Sequence, residues 1–254
     1  MATLLDIIYD VRLRADDLGG DTGTIPAGYT YYFEYSDAGA LFKNAELVRF
    51  LNLAHREIAV RTRCYRDTDS SLCQITVTVG TAGYEYDRLI LSVEEVLLGS
   101  TGQPLPKIQL RDLRPLQSSD DTTGTPTHYL EENAPFRLML HPTPNVADVL
   151  YLTVYRLPLE EWTWARRNTP IDEPPDQLRE ALIQGALMYA YQKRDADTAD
   201  GGRQAFHARE FERLVGPAVS FRVLEDRRWN ANLDMTITPS PYTVRRSSRL
   251  SGWD

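Results

Sequence analysis

The sequence predicts an α+β protein: an antiparallel helical bundle of four main helices, an inserted antiparallel β module, and an extended C-terminal tail. Three observations lead there. Two segments with helical apolar spacing open the chain, the spacing changes to two at Leu72 and stays strand-like to Arg156, and helical spacing returns twice from Asp176. A chain that leaves a helical layer, builds strands and then returns to helices is expected to have inserted the β module into that layer. The expected division is residues 1–71 and 157–229 for the helices, 72–156 for a small sandwich or barrel, and 230–254 for the tail.

The first helix follows from Leu4, Ile8, Val11, Ala15 and Leu18, which recur at spacings of four and three and are stopped by Gly19 and Gly20. The second is expected to open with Asn44 as its N-cap and to run to about Arg63. Leu47, Phe50 or Leu51, Ala54 and Ile58 form its apolar stripe. The segment between them, GDTGTIPAGYTYYFEYSDAGALFK, is longer than the usual helix connection. Within it Tyr29, Tyr31, Phe33 and Tyr35 alternate with period two, so an extended backbone puts four aromatic rings on one face. Two readings stand side by side: a hairpin folded onto its own domain, or an arm packed on a neighbouring subunit, where aromatic residues are enriched.

In the β module Cys73, Ile75, Val77 and Val79 are expected to face one way and Gln74, Thr76 and Thr78 the other. Further strands are expected at Tyr84 to Asp87, Leu89 to Leu98, Leu105 to Leu110, His128 to Glu131, Phe136 to His141 and Val149 to Arg156, with Gly, Pro and Asn turns between them. The stretch RDLRPLQSSDDTTGTP reads as a helical turn and a solvated loop tip. Leu157 to Pro175, with Trp162, Trp164 and four prolines, reads as a rigid crossing segment. The third helix opens at Asp176 and is expected to bury Leu178, Leu182, Gly185 or Ala186, and Tyr189 on one face. The fourth begins near Arg203 with Ala208, Phe211, Val215 and Ala218 on its stripe, and Pro217 should kink or stop it. Residues from Asn230 onward carry Arg245, Arg246, Arg249 and Trp253 but no periodic apolar face, so an extended tail is expected.

Composition removes several classes of function. The chain has 254 residues, 42% of them hydrophobic, and 36 acidic against 28 basic side chains give a formal charge of −8. That balance argues against a broad nucleic-acid-binding face, which needs clustered Lys and Arg. The opening MATLLDIIYD has no basic region of the kind a secretory signal requires, and no apolar run is long enough to span a bilayer. Cys64 and Cys73 fit no metal spacing and read as reduced structural thiols, although a disulfide closing that short loop is conceivable.

Catalytic patterns are weak. His55 with Glu57, and His207 with Glu210, lack the paired-His spacing of a zinc hydrolase, and His141 before Pro142 reads as structural. The acidic pairs Asp16–Asp17, Asp120–Asp121, Glu131–Glu132 and Glu160–Glu161 read as solvated faces, since neighbouring residues point apart. There is no nucleophile elbow, P-loop or dinucleotide fingerprint. The expectation is a protein that is not an enzyme and needs no cofactor and no metal. The one basic cluster, Arg245, Arg246 and Arg249, suits an acidic protein groove better than DNA phosphate.

Taken in order, NAELVRFLNLAHREIAVRT, ITVTVGTAGYEYD, GTPTHY, LMLHPTP, LYLTVYRLPLE and PPDQLREALIQGALMYAYQKRDADTAD resemble the tailed-phage head-to-tail adaptor (connector) proteins. The resemblance covers most of residues 1 to 225; the long Tyr-rich connector and the tail after Trp229 depart from it. It implies a virion protein assembled in the host cytoplasm, a ring of copies, commonly twelve, docked beneath the portal protein, and a platform for the tail or nozzle protein. DNA would pass through the channel without sequence-specific binding, and no membrane is involved. The expected partner-binding residues are Tyr29, Tyr31, Phe33, Tyr35, Arg245, Arg246, Arg249 and Trp253. Competing readings are another neck or tail-tube protein, a carbohydrate or host-surface module using Trp162 and Trp164, and a cell-wall hydrolase with two converging carboxylates.

Overall fold

A computed structural model describes residues 3–17, 40–108, 123–131, 136–193 and 200–217. Within them the chain is a mixture of helices and antiparallel sheets, as the α+β reading expects. The described residues up to Gly216 make one compact unit. Inside it the helices share one hydrophobic cluster and the strands another.

Helix α1 (Leu4–Ala15) starts at a capping box: the Thr3 hydroxyl accepts from the Asp6 amide at 3.2 Å, while the Asp6 carboxylate accepts from the Thr3 amide at 2.7 Å. It ends earlier than the apolar spacing predicts. Asp16 takes a left-handed conformation at φ 54°, and the Asp17 amide bonds back to the Arg12 carbonyl at 3.0 Å, so the helix stops short of Leu18. Helix α2 (Asn44–Thr62) buries Leu47, Leu51, Ala54 and Ile58 as expected and closes at Arg63, left-handed at φ 50°. Asn44 is not its cap. It is the first helical residue, and its side chain turns inward to Arg12 instead.

Helix α3 (Arg179–Tyr191), entered through a 3₁₀ turn at Asp176–Leu178, differs most from expectation. A single apolar face was expected, yet every residue from Ala181 to Leu187 is buried. The reason is position: α1 and α2 pack on it, as does α4 (Gly201–Val215). Gly185 sits where these helices come closest; a methyl group there would lie 2.8 Å from both the Ala54 methyl and the Phe211 ring. Helix α4 is capped by Asp200, whose carboxylate accepts from the amides of Gly202 and Arg203 at 2.9 and 3.0 Å. It stops at Val215 before Pro217, with Gly216 at φ 85°. Ala218 lies outside the described residues.

The helices are also joined by polar contacts. Arg179 reaches Asp10 at 2.7 Å and Arg14 pairs with Glu180, tying α3 to α1. The Tyr189 hydroxyl donates to Glu57, which pairs with Arg61; Arg61 in turn donates to the Gly216 carbonyl at 2.9 Å and lies over the Phe211 ring.

The largest sheet is antiparallel. Strand β10 (Asp148–Arg156) is its spine, with β4 (Ile90–Leu98) on one side and β1 (Arg66–Asp67) and β2 (Gln74–Val77) in succession on the other. The short β5 (Gln103–Pro104) extends β4. A second antiparallel sheet has the order β3 (Gly83–Glu85), β8 (Arg137–His141), β7 (His128–Glu131). Two-residue strands β6 (Thr123–Gly124) and β9 (Thr143–Pro144) pair in parallel. Both larger sheets feed one core, with Val93, Val96, Leu150 and Leu152 from the first against Tyr84, Leu138 and Leu140 from the second.

Three details depart from the periodicity. Strand β1 lies upstream of Leu72 and is too short to carry a period. Val79 sits in a turn and is 59% exposed rather than facing inward with Cys73 and Val77. Of the strand expected at Leu105 to Leu110, only a bridge from Lys107 to Tyr129 forms among the described residues, while β5 lies just before it at Gln103–Pro104 and residues 109–110 are outside the described set.

Candidate partner-binding site

None of the eight expected partner-binding residues falls within the described residues: Tyr29, Tyr31, Phe33 and Tyr35 lie in 18–39, and Arg245, Arg246, Arg249 and Trp253 in 218–254. What is described is the ground from which the aromatic connector departs. Arg12, 1% exposed, donates one guanidinium nitrogen to the Asp17 carboxylate at 2.9 Å and the other to the Phe42 carbonyl and the Asn44 side-chain oxygen, both at 2.8 Å. Asp17 in turn accepts from the amides of Leu41 and Phe42 at 2.5 and 3.0 Å. The residues that precede and follow the connector are therefore held together by one buried charged clamp. The reading of Asp16–Asp17 as a solvated pair fails at Asp17, which is 5% exposed because the clamp needs its charge inside.

A second joint links the two cores. Arg156, at the end of β10, donates to Asp67 of β1 at 2.5 Å, to Glu173 at 2.8 Å and to the Leu157 carbonyl at 3.1 Å, and its guanidinium lies over the Tyr65 ring. The Tyr65 hydroxyl meets His55 Nε2 of α2 at 2.5 Å. His55 stacks face to face on Trp162, with centroids 4.4 Å apart, and Trp162 exchanges two 2.9 Å hydrogen bonds with Asn52. Strand end, helix and crossing segment thus form one polar and aromatic column.

Charge within the column is set by burial and neighbours. Burial, aided by the positive Arg156, lowers the His55 pKa to about 4, so the imidazole is neutral near pH 7. Burial raises the Tyr65 phenol well above its usual range. Burial also opposes ionisation of Asp67, but the Ser70 amide and the Arg156 guanidinium outweigh it and hold the carboxyl well below the usual range.

Beside this column is a cleft of about 280 Å³. Its walls include His55, Trp162, Leu159 and Ile171, and its carboxylates are Glu160, Glu161, Asp172 and Glu173 against the single basic Arg166. Glu160 pairs with Arg166, Glu161 with Arg56 at 3.5 Å and Glu173 with Arg156; Asp172 makes no ion pair among the described residues. One face of Trp162 is covered by His55, and the Arg167 guanidinium lies over the ring of Trp164. Cys64 and Cys73 are free thiols, both raised in pKa by burial. Among the described residues no group of three or more His, Cys, Asp or Glu is placed to hold a metal, and no helix is long and apolar enough to cross a membrane.

Sequence spacing did not single out Arg12, Asp17 or Arg156. A signal was present for Arg12, which stands four residues after Ile8 and three before Ala15, on the apolar stripe of α1. Arg156 closes an alternating strand, where a charge reads as the strand's end rather than as a joint.

Buried charges thus join the elements, and one charged clamp holds together the residues on either side of the connector. The family model described as SU10 adaptor protein matches residues 2–236, nearly the whole chain, and the chain belongs to that family. It is a bacteriophage structural adaptor, a component of the virion, in agreement with the resemblance read from its ordered motifs. No curated protein sequence matches the chain.

Proposed function

We propose that the chain assembles as a ring, commonly of twelve copies, beneath the portal at the head vertex, joins head to tail or nozzle protein, and leaves a channel for DNA. The match over residues 2–236 carries this reading. The formal charge of −8 supports it, since an acidic chain does not hold a passing duplex. The division of labour follows: residues 1–71 and 157–229 as the ring wall, 72–156 as its outer or tailward module, and 230–254 as an appendage that orders on docking. Tyr29, Tyr31, Phe33 and Tyr35 would meet a neighbouring chain, presented from the Arg12–Asp17 clamp. Arg245, Arg246, Arg249 and Trp253 would engage the portal or an adjacent copy. Host-cytoplasm assembly belongs to the same proposal.

The test combines assembly mass with retention on portal-bearing capsids. The full chain should be retained, and a chain lacking residues 230–254, or carrying serine at the four aromatic positions, should be retained less. Undiminished retention of both variants would remove those segments from the account.

A further inference from the structure

A ring built from identical copies needs two different surfaces that fit each other, because each junction is head to tail. We infer that the outer face of α4, carrying Phe206 and Arg209, docks into the acidic cleft of a second copy. This rests on the ring reading above. On α4, Phe206 is 58% exposed, and Arg209, one turn further on the same face, makes no ion pair among the described residues. Arg and aromatic side chains are the residues enriched in interface cores.

The cleft is complementary to that pair. Asp172 on its rim makes no ion pair among the described residues, and Leu159 on its wall is 44% exposed. Deeper in, the wall is closed by His55, 2% exposed, with its Nε2 engaged by Tyr65 and its ring stacked on Trp162. Arg209 would pair with the exposed Asp172 at the cleft rim while Phe206 covers Leu159. The cleft and the α4 face share no residue, so one copy can offer both at once, as head-to-tail junctions require.

Charge reversal tests this directly. Arg209→Glu makes the α4 face repel the cleft of its own kind, and Asp172→Arg does the same from the other side. Each variant alone should lose at least about tenfold in assembled fraction on portal-bearing capsids. Mixing the two variants, or combining both changes in one chain, should restore assembly, since every junction then regains opposite charges. Both sites are exposed, so thermal melts should match the original chain. If the single variants assemble like the original, the docking is wrong and the ring stands. If they form rings but are lost from the capsid, the cleft takes a portal or tail protein rather than a second copy. If the original chain forms no ring on capsids, the ring reading fails and this inference fails with it.

Discussion

Replacing Arg12 with methionine keeps an unbranched side chain in the same space but leaves the Asp17 carboxylate buried without its cation. Removing one partner of a buried pair typically costs about 3–5 kcal/mol, because the remaining charge is uncompensated. For a chain of this size that predicts a melting temperature lower by roughly 6–20 °C. An unchanged melt would show that the clamp does not hold the base of the connector. His55 gives a pH signature instead. Its folded pKa, about 4, lies below the unfolded value near 6.5, so between these limits the unfolded chain binds a proton that the folded chain refuses. Its contribution is full above about pH 6.5, falls by up to ~1.4 kcal/mol per pH unit as pH drops toward 4, and levels below that. His207 is lowered in the same sense, by burial and then by Arg203, so His55→Gln should remove part of this slope and leave the rest. An identical profile in the variant would contradict the assignment. The depressed Asp67 acts lower on the scale: its contribution is present above the ordinary carboxylate range near pH 4 and is lost as pH falls through its folded value.

The helices meet most tightly at Gly185. Alanine there gains about 1 kcal/mol of intrinsic helix propensity but pushes a methyl group to 2.8 Å from the Ala54 methyl and the Phe211 ring. Overpacking of this kind typically costs about 1–3 kcal/mol, so Gly185→Ala should be net destabilising in a denaturant titration; a stabilised variant would mean that α2 or α4 moves away freely. This element also shows where periodicity stops being informative. Helices α1, α2 and α4 and strands β4, β8 and β10 were legible because each sets a buried side against a wetter one. Helix α3 was legible as a helix but not as a central one, since small and apolar residues on every side suit burial without announcing its direction. Strand β1 is two residues long and has no period to read. Asn44 looked like a cap because its side chain can serve as one; only the fold brings Arg12 close enough to claim it.

At the scale of the molecule, two hydrophobic clusters are joined through Arg156, Tyr65, His55 and Trp162, and a long connector leaves from a clamped base. The fold class and the family were readable because several weak motifs occur in a fixed order. The joints were not, because they are built from charged and aromatic residues far apart in sequence, such as Asp67 with Arg156 and Asn52 with Trp162. The central claim is that these units work as a ring between head and tail. Its most direct test is the native mass of the purified 28.9 kDa chain alone and after incubation with portal-bearing capsids, followed by gentle release. The account predicts a closed assembly of one fixed copy number, commonly twelve, after contact with the portal. A chain that stays monomeric in both conditions, or binds capsids without a fixed stoichiometry, would contradict it.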